Sequence, residues 1–252
     1  MTGRAKTAKN LRGVVLAGGL GTRLHPLTKV TNKHLLPVYD KPMVYYPLEC
    51  LVTAGVTEVM LVTGGNNAGD FLRLLGNGKE LGLTKLQYAY QEGEGGIADA
   101  LRLAEEFAEG DSIAVVLGDN ILERSVRPYV EAYRRQDKGA RILLKDVPDP
   151  QRFGVAQFDG EKLVKIVEKP AAAPSPYAVV GVYFYDARVF EVVKGLKPSA
   201  RGELEITDVN NAYIGWGEME YSKLAGWWTD AGTFASLLHA NNLVAEGGAN
   251  NG

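Results

Sequence analysis

Short apolar runs alternate with longer stretches of helical periodicity, and this alternation restricts the fold more than any other feature of the sequence. Strand-like runs occupy residues 14–17, 58–63 and 113–117, and helix-like stretches occupy residues 43–54 and 126–135. The run at 113–117 is apolar at every position, which indicates a strand that is buried on both faces. The pattern predicts an α/β fold with a doubly wound, mostly parallel sheet. Further elements of this part are predicted at residues 68–75, 86–90 and 97–108.

The rhythm changes after Pro150, where strand-like runs follow one another with little helix between them. These runs occupy residues 154–158, 163–168 and 179–185. We therefore predict a single domain over residues 11–246, in which a β-rich insertion follows a Rossmann-like part.

Composition places the boundaries of these parts. The Rossmann-like part is expected at about residues 11–147 and the β-rich part at about 148–230, with a last helix at 233–245. The first ten residues are polar and basic, and residues 247–252 are rich in glycine and asparagine. Both ends are therefore predicted to be disordered.

Charge and composition exclude several classes of function. The chain carries 28 Lys and Arg against 30 Asp and Glu, a net charge of −2, so it has no overall field that would attract nucleic-acid phosphates. No apolar run approaches the roughly 18 residues that a membrane helix needs, and no signal peptide is evident. The single cysteine, Cys50, cannot form an internal disulfide. We expect a cytoplasmic protein with neither nucleic acid nor membrane as a partner.

A glycine-rich loop follows the first predicted strand, in the run Leu16-Ala-Gly-Gly-Leu-Gly-Thr-Arg23. Gly18, Gly19 and Gly21 allow the backbone amides to approach phosphate oxygens closely, and Arg23 adds a fork of donors. The loop lacks the Lys-Ser/Thr ending of a P-loop and the third glycine of a dinucleotide fingerprint. A simple strand-to-loop turn is the alternative interpretation of this segment.

Lys33 stands ten residues after Arg23, in the run Thr31-Asn-Lys-His-Leu-Leu-Pro-Val38. A loop of that length can fold back and place both cations on one phosphate group. The glycine loop, the Leu-x-Pro-Leu-Thr run that follows it and this lysine run together resemble the sugar nucleotidyltransferases. The continuation Tyr39-Asp-Lys-Pro-Met43 is most similar to the short members that use dTTP and glucose 1-phosphate.

The resemblance implies a nucleotide site with Arg23, Lys33 and Asp119 as its catalytic residues. Gln91 would contact the pyrimidine edge at two points, and Gly96 would let the backbone approach the ring. The family often has glutamine where this chain has Asp99, so no role is assigned to Asp99. The implied nucleotide-binding residues are Leu16, Gly18, Gly19, Gly21, Thr22, Arg23, Gln91, Gly96 and Asp119.

The resemblance also implies a magnesium site made by Asp119 and Asp230. Asp119 follows the buried strand at 113–117, at the edge where open parallel sheets bind their ligands, and carboxylate oxygens suit Mg²⁺. Asp230 taken alone has a different interpretation, as the N-cap of the helix that follows it.

The β-rich part is expected to hold the sugar phosphate. By the resemblance, Glu168 would accept hydrogen bonds from sugar hydroxyls, while Lys169 and Arg201 would hold the phosphate. The implied sugar-phosphate-binding residues are Asn120, Gly154, Glu168, Lys169, Val179, Tyr183, Arg201 and Trp228.

The reaction that the resemblance implies is the in-line, Mg²⁺-assisted attack of glucose 1-phosphate on the α-phosphorus of dTTP. Its products are dTDP-glucose and pyrophosphate, and the enzyme is expected to be a dimer or tetramer of identical chains. Uridylyl transfer by the same chemistry and a non-catalytic sugar-nucleotide sensor are the alternatives. A dinucleotide-dependent oxidoreductase would need an acidic residue at the end of the second strand, and Val62-Thr-Gly-Gly65 offers none.

Overall fold

The structure is a computed structural model that describes residues 10–252. The predicted disordered extension at residues 1–10 therefore lies outside the described residues, apart from its last residue. The strands are β1 (Leu11–Ala17), β2 (Pro37–Val38), β3 (Lys41–Pro42), β4 (Glu58–Gly64), β5 (Lys85–Gln91), β6 (Ser112–Leu117), β7 (Asn120–Leu122), β8 (Ala140–Asp146), β9 (Gly154–Asp159), β10 (Lys162–Glu168), β11 (Tyr177–Tyr185), β12 (Met219–Lys223) and β13 (Trp228–Asp230). The α-helices are α1 (Tyr45–Thr53), α2 (Ala68–Leu75), α3 (Ile97–Arg102), α4 (Glu105–Ala108), α5 (Arg127–Arg135), α6 (Val189–Gly195), α7 (Ile206–Gly215) and α8 (Phe234–Gly247).

Within residues 10–252, nine of the strands form one sheet, with the order β10-β9-β11-β6-β1-β4-β5, while β8 pairs with β11 and β12 pairs with β8. β5, β4, β1 and β6 pair in parallel, and β11 pairs with β6 in the antiparallel direction. The predicted α/β fold class is confirmed. The strands of the β-rich part continue the same sheet through β11, so both parts of the domain belong to one sheet.

β1 shows why the sheet is covered on both faces. All seven of its residues are buried, and successive side chains enter different cores because they point to opposite faces of a strand. Val14 and Leu16 belong to one apolar cluster, and Val15 and Ala17 belong to the other. A third, smaller cluster lies between α8 and the start of α1. Parallel strands covered on both faces end at one edge, where loops can form a site.

Several elements differ from the sequence prediction. The helix expected at residues 97–108 is divided into α3 and α4, because the amides of Leu103 and Ala104 bond to carbonyls three residues back instead of four. The helices α6 and α7 and the strands β8 and β12 were not predicted. In α7 the β-branched and polar residues obscure the helical pattern, and burial of Ile206, Val209 and Tyr213 stabilises the helix instead.

The end of the chain is hydrogen-bonded, which differs from the disorder predicted for residues 247–252. The amides of Asn250 and Asn251 donate to carbonyls of Leu122 and Glu123, and the side chain of Asn250 donates to the Tyr46 carbonyl over 3.0 Å. The tail therefore packs against β7, the strand that follows Asp119. None of the helices within residues 10–252 has the length and apolarity required to cross a membrane.

Candidate active site

A cleft of about 650 Å³ opens at the edge of the sheet where β1, β5 and β6 end. One wall comes from the glycine loop after β1 and from the residues that follow β5 and β6. The other wall comes from β9, β10 and β11, the start of α7, and β13. The cleft thus lies between the two parts that the sequence predicted as nucleotide-binding and sugar-binding.

Side chains that pack behind the glycine loop leave no room for a β-carbon at two of its positions. A β-carbon on Gly18 would lie 2.7 Å from the Gln91 Oε1 atom, and one on Gly21 would lie 2.8 Å from the Lys33 Cβ atom. Gly21 also has a φ of 66°, which favours glycine. Gly21 packs against Lys33 and does not line the cleft. The structure therefore places Gly21 behind the predicted nucleotide site and not in its surface.

Lys33 and Asp119 form a short ion pair at the centre of the cleft. The Nζ atom of Lys33 lies 2.6 Å from Asp119 Oδ2, and the side chains are only 13% and 14% exposed. Asn120 donates from Nδ2 to the other oxygen of Asp119 at 3.0 Å. Burial alone would raise the pKa of Asp119, but the charge of Lys33 and these hydrogen bonds hold it well below its usual range. Asp119 is therefore an ionised carboxylate.

Asp230 lies beside Asp119 because β13 pairs with β7, with Asp230 opposite Asn120. One oxygen of Asp230 and one of Asp119 lie 3.3 Å and 3.5 Å from the point that a β-carbon on Gly232 would occupy, and the Arg23 Nη2 atom lies 3.0 Å from the same point. Burial and the negative charge of Asp119 raise the pKa of Asp230. Two adjacent carboxylates with this mutual repulsion favour a cation between them.

The N-cap interpretation of Asp230 is wrong, because Thr233 caps α8 and Asp230 lies in β13. Within the part of the chain that the structure describes, no group of three or more His, Cys, Asp or Glu side chains could hold a metal ion. Two aspartates can still hold a hard cation if other oxygens complete its coordination. Their donor set fits a magnesium ion that shares phosphate and water ligands.

Asn120 connects three elements at the centre of the site. Its Oδ1 atom accepts from the Gly181 amide at 2.9 Å and from the Trp228 indole at 2.7 Å. A side chain on Gly181 would collide with it, since a β-carbon there would lie 2.6 Å from Oδ1. The Trp228 ring in turn packs against Phe153, with ring centroids 5.0 Å apart. Asn120 therefore orients Asp119 and Trp228 together.

Glu168 is the central carboxylate on the wall that the sequence predicts to bind the sugar phosphate. It accepts a hydrogen bond of 2.5 Å from Thr207 Oγ1, and its other oxygen lies 3.7 Å from Arg201 and 3.9 Å from Lys169. Arg201 pairs more closely with Glu205, at 2.7 Å. Arg201 also lies 3.4 Å from Glu203, so two cations and three carboxylates meet on this wall. The cations could hold an anion, and the carboxylates could accept hydrogen bonds from hydroxyl groups.

Gln91 is held in place on the nucleotide side. Its Nε2 atom donates to the Gly96 carbonyl at 3.1 Å and to Asp99 Oδ2 at 3.0 Å. Gly96 has a φ of 94°, and a β-carbon there would lie 2.7 Å from the Leu204 carbonyl oxygen, so only glycine fits. Asp99, to which the sequence assigned no role, therefore positions Gln91.

The structure brings nearly all of the predicted site residues into one cleft. Those that line it are Leu16, Gly18, Gly19, Thr22, Arg23, Lys33, Gln91, Gly96, Asp119, Asn120, Gly154, Glu168, Lys169, Val179, Tyr183, Arg201, Trp228 and Asp230. The sequence missed Arg152, whose guanidinium lies 3.3 Å from Asp230. It also missed Thr207 and Asn210, because the helix that carries them was not predicted.

Comparison with known proteins identifies the family. The family model described as nucleotidyl transferase matches residues 12–247. The chain belongs to the nucleotidyl transferase family. The glucose-1-phosphate thymidylyltransferase of Actinoplanes sp. is 45% identical over 238 residues, which cover 93% of this chain and 78% of the relative. The enzyme of the same name from Neisseria meningitidis is 44% identical over 238 residues, which cover 93% of this chain and 82% of the relative. The predicted resemblance to this family is confirmed.

Solved structures agree with this assignment. A Bacillus anthracis protein, provisionally named glucose-1-phosphate thymidylyltransferase and solved with sucrose, is 51% identical with a TM-score of 0.89 and covers 92% of this chain and 94% of its own. A UDP-glucose pyrophosphorylase solved with UDP-glucose shares the fold at 24% identity and a TM-score of 0.83. The match covers 93% of this chain and 98% of the pyrophosphorylase.

Proposed function

We propose that this enzyme is a glucose-1-phosphate thymidylyltransferase, which makes dTDP-glucose and pyrophosphate from dTTP and glucose 1-phosphate. The proposal depends most on one observation: at 44–45% identity to enzymes of that name, the charged groups of both predicted subsites line a single cleft. These groups are Lys33, Asp119 and Asp230 of the predicted nucleotide subsite, and Glu168 and Arg201 of the predicted sugar-phosphate subsite.

The chemistry needs no nucleophile from the protein. A phosphate oxygen of glucose 1-phosphate forms a bond to the α-phosphorus of dTTP, the bond from that phosphorus to the bridging oxygen breaks, and its electron pair leaves with pyrophosphate. Both reactants are anions, so the enzyme must overcome their repulsion and hold the three reacting centres in line. Positive groups in fixed places are what such a reaction requires.

Each cation of the cleft would have a separate role in this reaction. Arg23 stands at the glycine loop, where it would stabilise the negative charge that develops on pyrophosphate. Lys33 would donate to the α-phosphate from its place beside Asp119. Lys169 and Arg201 would hold the phosphate of the sugar and direct its oxygen at the phosphorus.

Asp119 and Asp230 would hold the magnesium ion, which when bound neutralises charge on the α-phosphate. The short pair between Lys33 and Asp119 keeps Asp119 ionised, as a ligand to a cation must be. Burial and Asp119 raise the pKa of Asp230, and the charges of Arg152 and Arg23 oppose that rise, so the two arginines favour the ionised form.

Turnover of each of dTTP, UTP, CTP and ATP with several hexose 1-phosphates, followed by release of pyrophosphate, tests the proposal. We expect the highest kcat/KM for dTTP with glucose 1-phosphate. One methyl group on a pyrimidine contributes about 1 to 3 kcal/mol of discrimination, so UTP should react about 10- to 200-fold less efficiently. A preference for UTP would indicate a uridylyltransferase, and tight binding without pyrophosphate release would indicate a sensor.

We also propose that the enzyme is a dimer or tetramer of identical chains. The exposed face of α8 supports this, because Phe234 and Leu238 lie one turn apart on it and are 50% and 63% exposed. Light scattering at micromolar concentration tests the proposal, and the mass of a single chain would contradict it.

A further inference from the structure

Asn210 presents an unpaired hydrogen-bond donor in the wall of the cleft. It lies in α7, lines the cleft and is only 1% exposed. Its Oδ1 atom accepts a hydrogen bond of 2.6 Å from the Tyr185 hydroxyl. Its Nδ2 atom is buried and has no hydrogen-bond partner within residues 10–252.

A buried amide without a partner is costly, because the group loses its hydrogen bonds to water and gains nothing in return. Folded proteins satisfy the large majority of such groups, so each exception requires a reason. In the described part of the chain, side-chain atoms of four other residues are also buried without a hydrogen-bond partner: Arg134, Gln136, Arg141 and Asn250. Of all five residues, Asn210 is the one that lines the cleft. The unpaired amide therefore belongs to a side chain in the wall of the cleft.

The Tyr185 hydroxyl fixes the orientation of the amide. Tyr185 is fully buried, and its ring stacks on the ring of Tyr183 at 6.0 Å. Since the hydroxyl donates to Oδ1, the NH₂ group of Asn210 points elsewhere, with two hydrogens to donate. The donor is preorganised before any ligand arrives.

The surroundings indicate which kind of ligand the donor suits. Thr207 lies one turn earlier on α7 and is hydrogen-bonded to Glu168, the predicted acceptor for sugar hydroxyls. Ile206, one turn before Asn210 on α7, is apolar and also lines the cleft, and Tyr185, which bonds to Asn210, is neutral. The cations Lys169 and Arg201 lie near Glu168 and would attract a phosphate or carboxylate to that place instead. A neutral hydroxyl group would pair with the amide at little cost.

We infer that Asn210 is a sugar-binding residue whose amide donates a hydrogen bond to a ring hydroxyl of the hexose 1-phosphate. The inference rests on the proposed function, because it names a contact within that sugar site. It makes Asn210 a determinant of which hexose is accepted. A site that is built to bond a hydroxyl discriminates against the analogue that lacks it.

The test compares glucose 1-phosphate with its 2-, 3-, 4- and 6-deoxy analogues in the wild type, Asn210→Leu and Asn210→Asp. Asp keeps an acceptor for Tyr185 and loses the donor, whereas Leu removes both. We expect each variant to lower kcat/KM for glucose 1-phosphate by about 10- to 100-fold. One deoxy analogue, the one without the bonded hydroxyl, should react equally well with variant and wild type.

The ratio between two substrates does not depend on how much of a variant is folded, so a loss of stability cannot imitate this result. Asn211→Leu is the matched control: Asn211 is the next residue of α7, its side chain bonds to the backbone of Ile166 and does not line the cleft, so this variant should keep the wild-type discrimination among the five sugars. Equal losses on all five sugars in both Asn210 variants would overturn the inference and leave Asn210 a structural residue. Absence of turnover by the wild type would instead overturn the proposed function.

Discussion

The ammonium group of Lys33 lies 2.6 Å from a carboxylate oxygen of Asp119, although 86 residues separate them in the chain. The pair joins the loop that follows β1 to the end of β6, and both side chains are mostly buried. Each residue would be poorly placed without the other, since a lone buried charge is strongly unfavourable. The same contact keeps the lysine extended and the carboxylate ionised at the point where triphosphate and metal would meet.

Lys33→Gln is expected to lower kcat about 10²- to 10³-fold, because it removes a donor to the developing charge in the transition state. Steady-state turnover with dTTP and glucose 1-phosphate measures the effect. Lys29→Gln is the control, since Lys29 is an exposed lysine of the same loop outside the cleft, and its turnover should be normal. Full activity of a folded Lys33→Gln protein would exclude Lys33 from the mechanism.

Asp230→Asn is expected to raise the Mg²⁺ concentration for half-maximal rate by about tenfold or more, because one of two charged ligands is lost. A titration of rate against free Mg²⁺ measures the shift, and a chelator should abolish turnover in the wild type. Asp149→Asn is the control: Asp149 pairs with the same arginine, Arg152, and does not line the cleft. The metal assignment fails if the Asp230 variant and the wild type need the same Mg²⁺ concentration.

Asp99→Ala is expected to raise KM for dTTP about threefold to tenfold with little change in kcat, because Gln91 loses one of its two anchoring hydrogen bonds. Initial rates at varied dTTP and saturating glucose 1-phosphate separate the two constants. Arg102→Ala is the control, since it removes the Arg102–Asp99 ion pair of 2.9 Å and leaves the Gln91 contact intact. A purely structural role for Asp99 predicts the same small effect in both variants.

His34 should make the protein less stable in mild acid. Burial, and after it the charge of Lys33, lowers the pKa of His34 to about 3, and its Nδ1 atom lies 2.8 Å from Asn32 Oδ1. In the unfolded chain the same group takes a proton below about pH 6.5. The unfolded state therefore binds more protons between those two values, and stability falls as the pH falls through that range.

This linkage should lower the free energy of unfolding by about 2 kcal/mol between pH 7 and pH 5. Urea unfolding of the wild type and of His34→Gln, both without Mg²⁺, measures it as the difference between their pH slopes. Glutamine is neutral at both pH values, so its slope should lack this contribution. Parallel slopes would show that His34 keeps its ordinary pKa in the fold.

Asn250→Ala is expected to cost about 1 to 2 kcal/mol of stability, because the buried Asn250 side chain donates to the Tyr46 carbonyl and its φ of 56° is unfavourable for alanine. Thermal and urea unfolding measure the change. Asn251→Ala is the control: its exposed side chain bonds only within the tail, to the Gly247 carbonyl, and should cost less than about 0.5 kcal/mol. Equal stability of the two variants would contradict a contribution of the Asn250 side chain to the fold.

The candidate site could be predicted where its residues follow local motifs. The glycine loop, Lys33 and Asp119 each stand directly after or between strongly apolar strands, so their place at the edge of the sheet followed from the alternation of elements. α7 could not be predicted in the same way, because its pattern mixes β-branched and polar residues. Thr207 and Asn210 were missed with it.

The prediction that the tail is disordered was wrong, because composition was read as a lack of structure. Residues 247–252 have the composition of a flexible end, yet Asn250 and Asn251 bond to β7. Composition describes the tendency of a segment by itself and carries no information about a distant strand with free backbone groups. Such partners become visible only when the chain is folded.

The amino-acid sequence by itself determined the fold class, the family and more than half of the residues that line the cleft, because periodicity and short motifs are local properties. Tertiary structure alone decided which residues touch: that Lys33 pairs with Asp119, that Asp230 lies beside them through the pairing of β13 with β7, and that Asp99 holds Gln91. It also decided that Asn210, with its unpaired amide, lies in the wall of the cleft. The physical reason is that burial, hydrogen bonding and ionisation depend on distances in space between residues far apart in the chain, and those distances exist only once the sheet has formed.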